Sequence, residues 1–348
     1  MPLIDRTRPR TVRVTSFDVA AEAGVSQSTV SRALAGDTVV SEATRRRVME
    51  AARKLNYSVD ENAARLRTGR TGTLAVVIIC RPDEDRKDLN PFTYALLGTT
   101  CAAASTRGYD TLVSFQDGPD NLSGRFEEQR KADGTIVIGT TQNELAWRYF
   151  RDLAQGGAHQ VCWGSPYDDL EWIRADNHGG ARLATGHLIE RGCRQIACIG
   201  SAGPLQRQFQ ERYDGYAERM AEAGLEPWLV ESDYGLPREE QGRLAARALL
   251  SSGRPFDGVF AVCDELALGA LQEFAEAGVR VPQDAALIGF DGIRASTLAM
   301  PPLSTVQADF AAAGAMLVDK LLAGIAGESH QQRRVPVQLL VRESTRRD

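Results

Sequence analysis

The sequence predicts an α/β protein in two parts: a small all-α helix-turn-helix module at the N-terminus, and behind it a core of two doubly wound parallel-sheet subdomains. Three observations predict it. Up to residue 57, apolar residues recur at helical spacing between helix-capping residues, with no strand-like run among them. From residue 73, short apolar runs alternate with helical stretches: LAVVIIC, TYALLGTTCAAASTRG, TLVSF, TIVIG, ELAWRYFRDLAQGG and HQVCW, then ARLATGHLIERG, QIACIG, YDGYAERMAEAG, LAARALLSSG, GVFAV, LALGALQEFAEAG and AALIGF. This βαβ rhythm, met twice, implies two mostly parallel sheets covered by helices. Charge changes at the same place: residues 1–72 hold 13 Lys+Arg against 8 Asp+Glu, and residues 73–348 hold 28 against 38. A basic module on an acidic body suggests that the module meets a polyanion and the body does something else.

Composition excludes several classes. A chain 43% hydrophobic and 25% charged is neither wholly disordered nor a fibrous repeat. No apolar run approaches the roughly 18 residues of a membrane span, and the Arg-studded N-terminus has no apolar stretch behind it. A cytoplasmic protein with no membrane partner is therefore expected. Six cysteines without a CxxC pair, beside only four histidines, argue against a zinc site and a disulfide framework alike. Buried free thiols are expected, with no metal and no cofactor.

In the module, Thr15 is a good N-cap with Asp18 three residues on, and the helix Ser16–Ala23 sets Val19, Ala20 and Ala23 on one side before Gly24 ends it. Ser26 caps a second helix over 27–35, whose Val30, Ala33 and Leu34 face inward while Gln27, Ser28 and Arg32 stay outside; Gly36 ends it. Ser41 caps a third over 42–55, with Glu42 in its first turn and Val48, Ala51, Ala52 and Leu55 as its apolar stripe. The tight turn Gly24-Val25-Ser26 joins the first two as a helix-turn-helix, which lays its second helix in a DNA major groove. The bland alternative is a three-helix bundle whose polar residues are a solvated face.

The wording of the segment decides between them. VTSFDVAAEAGVSQSTVSRALAGDTVVSEATRRRVMEAARKLNY resembles the DNA-binding headpiece of the lactose repressor family of bacterial transcription regulators. ASTRGYDTLVS, DNHGGARLATGHLIERGCRQIACIG, ERYDGY, DGVFAVCDELALGALQEFAEAGVRVPQDAALIGFDG, PPLSTV and VRESTR resemble that family's periplasmic-binding-protein-like core. The resemblance implies that Gln27, Ser28 and Arg32 read bases, and that Thr15, Ser26, Thr29 and Ser31 meet phosphates. The chemistry agrees: Arg pairs bidentately with guanine and Gln with adenine, while hydroxyls hold phosphates without reading sequence.

Residues 58–72, SVDENAARLRTGRTG, hold too few apolar groups to pack alone, although residues 60–67 are good helix formers. In the family this stretch is a hinge helix that orders on DNA and wedges a leucine into the minor groove, and Leu66 matches that leucine. Val59-Asp60 and Ala64 depart from the family's usual Pro-Asn and longer polar residue. The alternative is a flexible tether with one exposed leucine.

The body, 73–348, is expected to divide into an N-subdomain of about 73–174 and 304–330 and a C-subdomain of about 175–303 and 331–348. By resemblance the chain crosses near 174 and 303, the helix around 308–322 returns to the first subdomain, and the last strand near 335–341 returns to the second. Open parallel sheets bind ligands at the carboxyl ends of their strands, so two facing sheets offer a cleft. There is no GxSxG, GxxxxGK[ST], HExxH, or GxGxxG after a strand, so no enzyme is expected. Asp264-Glu265 and Asp83, Asp85 form carboxylate pairs, read as solvated faces or caps.

In the cleft the resemblance puts Phe92 at a ligand-stacking position, Arg212 of ERYDG and Asp291 of GFDG at effector-binding positions, and Tyr234 at a second stacking position. An aromatic face packs on the C–H side of a sugar, and Arg and Asp bond adjacent hydroxyls. The alternatives are a core Phe, a surface salt-bridged Arg, a capping Asp and a surface Tyr. Cys263 and Trp163 depart from the family's usual polar residues. A ligand with an apolar face fits them, such as a hexose glucoside or a disaccharide.

These readings together describe a homodimeric, sugar-responsive transcription regulator, a repressor of carbohydrate-utilisation genes released from a palindromic double-stranded DNA operator by a small carbohydrate effector. Residues 346–348 close the sequence without leucine heptads, so no tetramerising helix is expected. The competing classes are a sugar-binding module without a DNA role, and a carbohydrate hydrolase, which turnover of a sugar would reveal.

Overall fold

A computed structural model of the chain describes residues 14–34, 37–57, 69–81, 89–139, 143–201, 206–233, 235–328 and 333–346, and it divides into two compact units, residues 1–70 and 71–348. In the first unit, α1 (Ser16–Ala23), α2 (Gln27–Leu34) and α3 (Glu42–Lys54) enclose a core of Val19, Ala20, Ala23, Val30, Ala33, Val40, Val48, Ala51 and Ala52. The ends are specified locally. Gly24 takes a left-handed φ of +62° to end α1, a conformation that glycine adopts without Cβ strain. The Ser41 hydroxyl accepts from the Thr44 N–H, 3.3 Å away, to start α3. Lys54 of α3 reaches back to Glu22 of α1 at 2.6 Å.

The second unit carries two parallel sheets. In chain order its elements are β1 (Thr73–Ile79), α4 (Pro91–Thr106), β2 (Asp110–Gln116), β3 (Thr135–Gly139), α5 (Glu144–Gln155), β4 (Gln160–Trp163) and β5 (Ile173–Ala175), then α6 (Asn177–Glu190), β6 (Ile196–Gly200), α7 (Arg207–Glu222), β7 (Trp228–Glu231), α8 (Arg238–Ser251), β8 (Gly258–Ala261), α9 (Asp264–Glu276), β9 (Ala286–Phe290), α10 (Ala295–Leu298), β10 (Ser304–Ala308), α11 (Phe310–Ile325), β11 (Arg333–Val335) and β12 (Val337–Leu340). The first sheet runs β2-β1-β3-β4 and the second β12-β10-β9-β8-β6-β7, all parallel except the β10–β12 pair.

The period-2 alternation of β1 shows why helices cover both faces. Leu74, Val76 and Ile78 point into the core under α4 and α11, while Ala75, Val77 and Ile79 point into a separate core with Trp147 and Phe150 of α5. In the second subdomain α8 and α9 cross so closely that a Cβ on Gly269 would lie 1.9 Å from the Glu239 carbonyl oxygen, and one on Gly242 2.1 Å from that of Leu266. In both sheets the strand order reverses beside the first strand, between β1 and β3 and between β6 and β8, and an open α/β sheet offers a crevice at such a point.

One boundary differs from expectation. Residues 304–308, expected in the first subdomain, form β10 and pair with β9 and β12 in the second sheet, so the return crossing comes after Ala308. Backbone pairing on both edges fixes that strand more strongly than the Pro301-Pro302 break before it suggests. The two-stranded pair β5–β11 lies where the chain passes between subdomains, and α11 packs against α4 of the first.

The last described turn, Glu343–Thr345, is held by hydroxyls. Ser344 Oγ donates to the Leu287 carbonyl at 2.6 Å and accepts from the Ser304 N–H at 2.8 Å, while Thr345 Oγ1 meets Ser304 Oγ and His187 Nε2, each at 2.8 Å. Burial, and then the neighbouring Arg191 charge, hold the buried His187 imidazole below its ordinary pKa, against the weaker pull of Glu190. The unfolded imidazole therefore takes up its proton first as pH falls, so this group's contribution to stability is present above about 6.5 and is lost below it. We expect Tm to fall between pH 7.5 and 5 by more in the native protein than in His187→Gln, as read by a thermal melt; parallel pH profiles would refute the assignment.

Candidate DNA interface and effector cleft

In the helix-turn-helix unit, α2 buries Val30 and Ala33 and leaves Ser28 and Arg32 exposed and Gln27 partly so. These side chains are presented on one helix whose inner side is fixed. Gln27 Nε2 donates to Ser16 Oγ at 3.2 Å, which ties the start of α2 to the start of α1. Ser26 Oγ accepts from the Thr29 N–H at 3.2 Å and shares hydroxyl bonds with Thr29 Oγ1 at 2.8 Å and Ser28 Oγ at 2.9 Å, a hydroxyl cluster at the helix N-terminus. Ser31 is half-buried on the same helix. Thr15 differs from the simple picture of a phosphate donor: its hydroxyl and its N–H both donate to Asp18 Oδ2 at 2.8 Å, and those bonds hold the Asp18 carboxyl below its usual range. Phe17 of α1, which the sequence does not mark, is exposed beside Ser16. The spacing that makes α1 amphipathic is read from Val19, Ala20 and Ala23 and says nothing of an aromatic on the outer face. Leu66 and the whole stretch 58–68 lie outside the described residues.

In the second subdomain the cleft is built on Arg212 of α7, which is 4% exposed. Its Nε donates to Asn177 Oδ1 at 3.0 Å, its Nη1 to the Val262 carbonyl at 2.6 Å, and its Nη2 lies 3.0 Å from Asp291 Oδ1. The guanidinium carbon sits 3.7 Å from the Phe290 ring centroid. Thus Arg212 and Asp291 are brought together, and Arg212 is no surface salt bridge. Asp291 itself has a φ of +115°, a backbone state that costs a non-glycine residue on the order of 1–3 kcal/mol and is held only where neighbours enforce it. Burial pushes the Asp291 carboxyl up, against the pull of Arg212.

Asp264 corrects the reading of Asp264-Glu265 as a solvated pair. It is buried, and its oxygens accept from Ser296 Oγ and Thr305 Oγ1, each at 2.6 Å, and from the Ile293 N–H at 2.9 Å. Burial, and then the Asp291 charge, push it up to about 7. Glu265 accepts from Asn90 Nδ2, across the cleft, at 2.8 Å. Cys263, buried immediately before Asp264, is kept protonated by the same burial. Asp83, Asp85 and Tyr234 lie outside the described residues.

The first subdomain contributes an aromatic wall. Phe92, in the first turn of α4, lies 5.7 Å from Trp163 and 5.1 Å from Phe310 between ring centroids. Trp163 is only 4% exposed, so it backs the Phe92 ring more than it forms a wall of its own. Phe310, at the start of α11, carries no signal in the sequence, because a phenylalanine opening an apolar helix reads as core. Asn177, Glu211 and Arg238 are equally silent there, since a polar residue in a helix reads as its solvated side until the fold turns it inward. No group of three or more His, Cys, Asp or Glu among the described residues is placed to hold a metal ion. Among the same residues, no helix is long and apolar enough to cross a membrane.

A helix-turn-helix unit with an exposed polar second helix, carried on a two-sheet body with a cleft between its subdomains, is the class of DNA-binding regulator that responds to a small molecule. Residues 17–60 match the family described as bacterial regulatory proteins, lacI family, and residues 185–345 match a periplasmic binding protein-like domain. The HTH-type transcriptional regulator CelR of Thermobifida fusca is 33% identical over 338 residues, 94% of this chain and 96% of that protein. The ribose operon repressor of Escherichia coli strain K12 is 31% identical over 337 residues, covering 94% and 98%. Among solved structures, a CelR–cellobiose complex superposes with a TM-score of 0.68 at 30% identity, covering 95% of this chain and 100% of that one. The lac repressor dimer bound to operator and the anti-inducer ONPF superposes at 0.74 and 26% identity, covering 96% and 99%. The chain belongs to the lacI family of bacterial regulatory proteins.

Because Arg212 is buried and joins three segments, its removal leaves Asp291 unpaired in the interior. We expect Arg212→Ala to lower the stability of the body by about 3 kcal/mol, as seen in the urea midpoint. A loss below about 0.5 kcal/mol would mean that the pair is solvated and that Arg212 does not hold the three segments together.

Proposed function

We propose that the chain is a cytoplasmic, homodimeric repressor of carbohydrate-utilisation genes that binds a palindromic operator and releases it when a small sugar enters the cleft. The observation that carries this reading is the pairing, in one chain, of an exposed α2 with a cleft that has aromatic rings on one side and a fixed guanidinium and carboxylate on the other. Rings suit the C–H face of a sugar, and Arg212 with Asp291 offers donors and acceptors to adjacent hydroxyls. A relative that binds cellobiose is consistent with a disaccharide-sized effector. In this reading Arg32, Gln27 and Ser28 read base edges, Thr15, Ser26, Thr29 and Ser31 meet phosphates, with Thr15 exchanging Asp18 for a phosphate, and Leu66 wedges the minor groove. Twofold pairing is required for half-site geometry, and exposed Tyr94 and Val113 in the first subdomain, with Leu298 and Met300 in the second, supply apolar surface for it.

Two measurements test it. Binding to a palindromic duplex, followed by anisotropy, should weaken steeply from roughly 50 to 200 mM salt, and Arg32→Ala should cost about 1–3 kcal/mol of specific binding while sparing nonspecific binding. An unchanged affinity across that salt range would end the DNA reading. Effector and operator should each weaken the other's binding by the same factor, about 5- to 150-fold. Calorimetry giving one sugar affinity with and without operator would refute the coupling.

A further inference from the structure

We propose that the cleft takes an acidic sugar, one bearing a carboxylate or phosphate, whose anionic group is held by Arg238, Gln206 and Ser232 at the carboxyl ends of β6 and β7. The proposal rests on the sugar reading above and narrows it. Arg238 opens α8, and its guanidinium carbon lies 4.6 Å from the Phe209 ring centroid, the same ring that the Arg212 guanidinium carbon approaches at 5.7 Å. Asp291 balances Arg212. Among the described residues no carboxylate makes a direct ion pair with Arg238, whose bonds run to two neutral amides: Nη1 to Gln241 Oε1 at 3.1 Å and Nη2 to Gln206 Oε1 at 3.3 Å. It also stands at a helix N-terminus, the end where the dipole favours an anion over a cation. The shared Phe209 ring sets the Arg238 guanidinium beside that of Arg212.

Two further polar atoms point the same way. Gln206 is 4% exposed, and its Nε2 has no hydrogen-bond partner. Because Oε1 is the atom that accepts from Arg238, the amide's orientation is set and what remains over is a donor. Ser232 is 9% exposed, is anchored through its N–H to the Gly200 carbonyl at 2.9 Å, and leaves Oγ without a partner. An unsatisfied buried donor costs about 1–3 kcal/mol, so two at the carboxyl ends of neighbouring strands mark a place for an acceptor, whether a water or a ligand. The amide oxygens nearby are engaged: both accept from Arg238. A neutral sugar hydroxyl must donate as well as accept, and would have to share the two amide oxygens with the guanidinium. A carboxylate or phosphate only accepts, and satisfies guanidinium, amide and hydroxyl together.

The test uses the full chain and two arms. In the first, inorganic phosphate at 10 mM, on the order of a weak anion site's dissociation constant, is compared with chloride at matched ionic strength by thermal melt; phosphate should raise Tm in the native protein and not in Arg238→Gln or, should that variant fail to fold, Gln206→Leu. In the second, hexuronates and hexose phosphates are titrated against their neutral parent hexoses by calorimetry. The acidic forms should bind at least about tenfold more tightly, the preference vanishing in the same variant. Carboxylate and phosphate are told apart by which series binds. Neutral sugars binding as well as acidic ones, with no phosphate effect, would overturn the subsite and leave the sugar reading standing. A phosphate effect lost in Arg238→Gln, with no sugar of either series binding, would keep the anion site and overturn the sugar reading. No response in either arm overturns both.

Discussion

The half of the cleft that lies in the second subdomain depends on a single constraint: the buried Arg212 guanidinium has to find a partner for each of its edges. It does so in the start of α6 through Asn177, in the end of β8 through Val262, and in the turn after β9 through Asp291. These segments are distant in the sequence, and a planar fork with fixed donor directions sets their relative positions more narrowly than apolar packing does. Apolar side chains of equal volume in place of both Arg212 and Asp291 would fill the space with little loss of stability, whereas loss of Arg212 alone strands the carboxylate, and no apolar pair would orient a carboxylate at the mouth of a strand. Arg212 therefore acts as a geometric standard for the site and only secondarily as a source of stability.

The strain at Asp291 follows from the same constraint. Its left-handed backbone is held by its own N–H on the Val306 carbonyl at 2.7 Å, by the Gly292 N–H on Thr305 Oγ1 at 3.2 Å, and by the Ile293 N–H on Asp264 at 2.9 Å. Asp264 gathers Thr305 and Ser296 as well, so one buried carboxylate fixes the turn that aims another. Two carboxylates so placed repel each other. Burial and this repulsion push Asp264 up, and burial pushes Asp291 up against the pull of the guanidinium.

How far the sequence discloses this depends on which interactions are local. Caps and turns are local: Thr15 with Asp18, Gly24 and Ser41 act within a few residues, and the helices they bound are where periodicity sets them. The doubly wound order is legible because β1 and β6 are uninterrupted apolar runs that only a sheet covered on both faces buries. Arg212 and Asp291 are legible only through the family resemblance, because nothing in ERYDG or GFDG taken alone says that these residues meet. Asn177, Glu211 and Arg238 leave no trace in the sequence because their roles exist only once the fold brings Asn177 to Glu211 and Arg238 to Gln206. The strand 304–308 falls in the other subdomain from the one expected because its sheet is decided by pairing with β9 and β12, which has no signature in the strand itself.

The crossover region decides what kind of motion the cleft has. Glu211 is buried beside Arg212, and it receives Asn177 Nδ2 at 3.0 Å, Arg334 of β11 at 2.8 Å and Arg174 of β5 at 3.4 Å. Burial alone would raise its carboxyl, but the bonds from Arg334 and Asn177 outweigh burial and hold it below its usual range. Asn177 is thus shared between the arginine of the cleft and the acid of the crossover. Across the cleft the subdomains also touch directly, through Asn90 with Glu265 and through Arg81, which donates to the Gly235 carbonyl at 3.2 Å and the Leu236 carbonyl at 3.4 Å. A rotation of one subdomain on the other would have to exchange whole bonds at both places, which favours discrete arrangements over a continuum of openings. A ligand biases it only by binding one arrangement better than the other. In the proposed function, a ligand touching Phe92 on one side and Arg212 and Asp291 on the other would have such a preference, because a rotation would change the distance between them, whereas a ligand held by one subdomain alone would bind tightly and shift nothing.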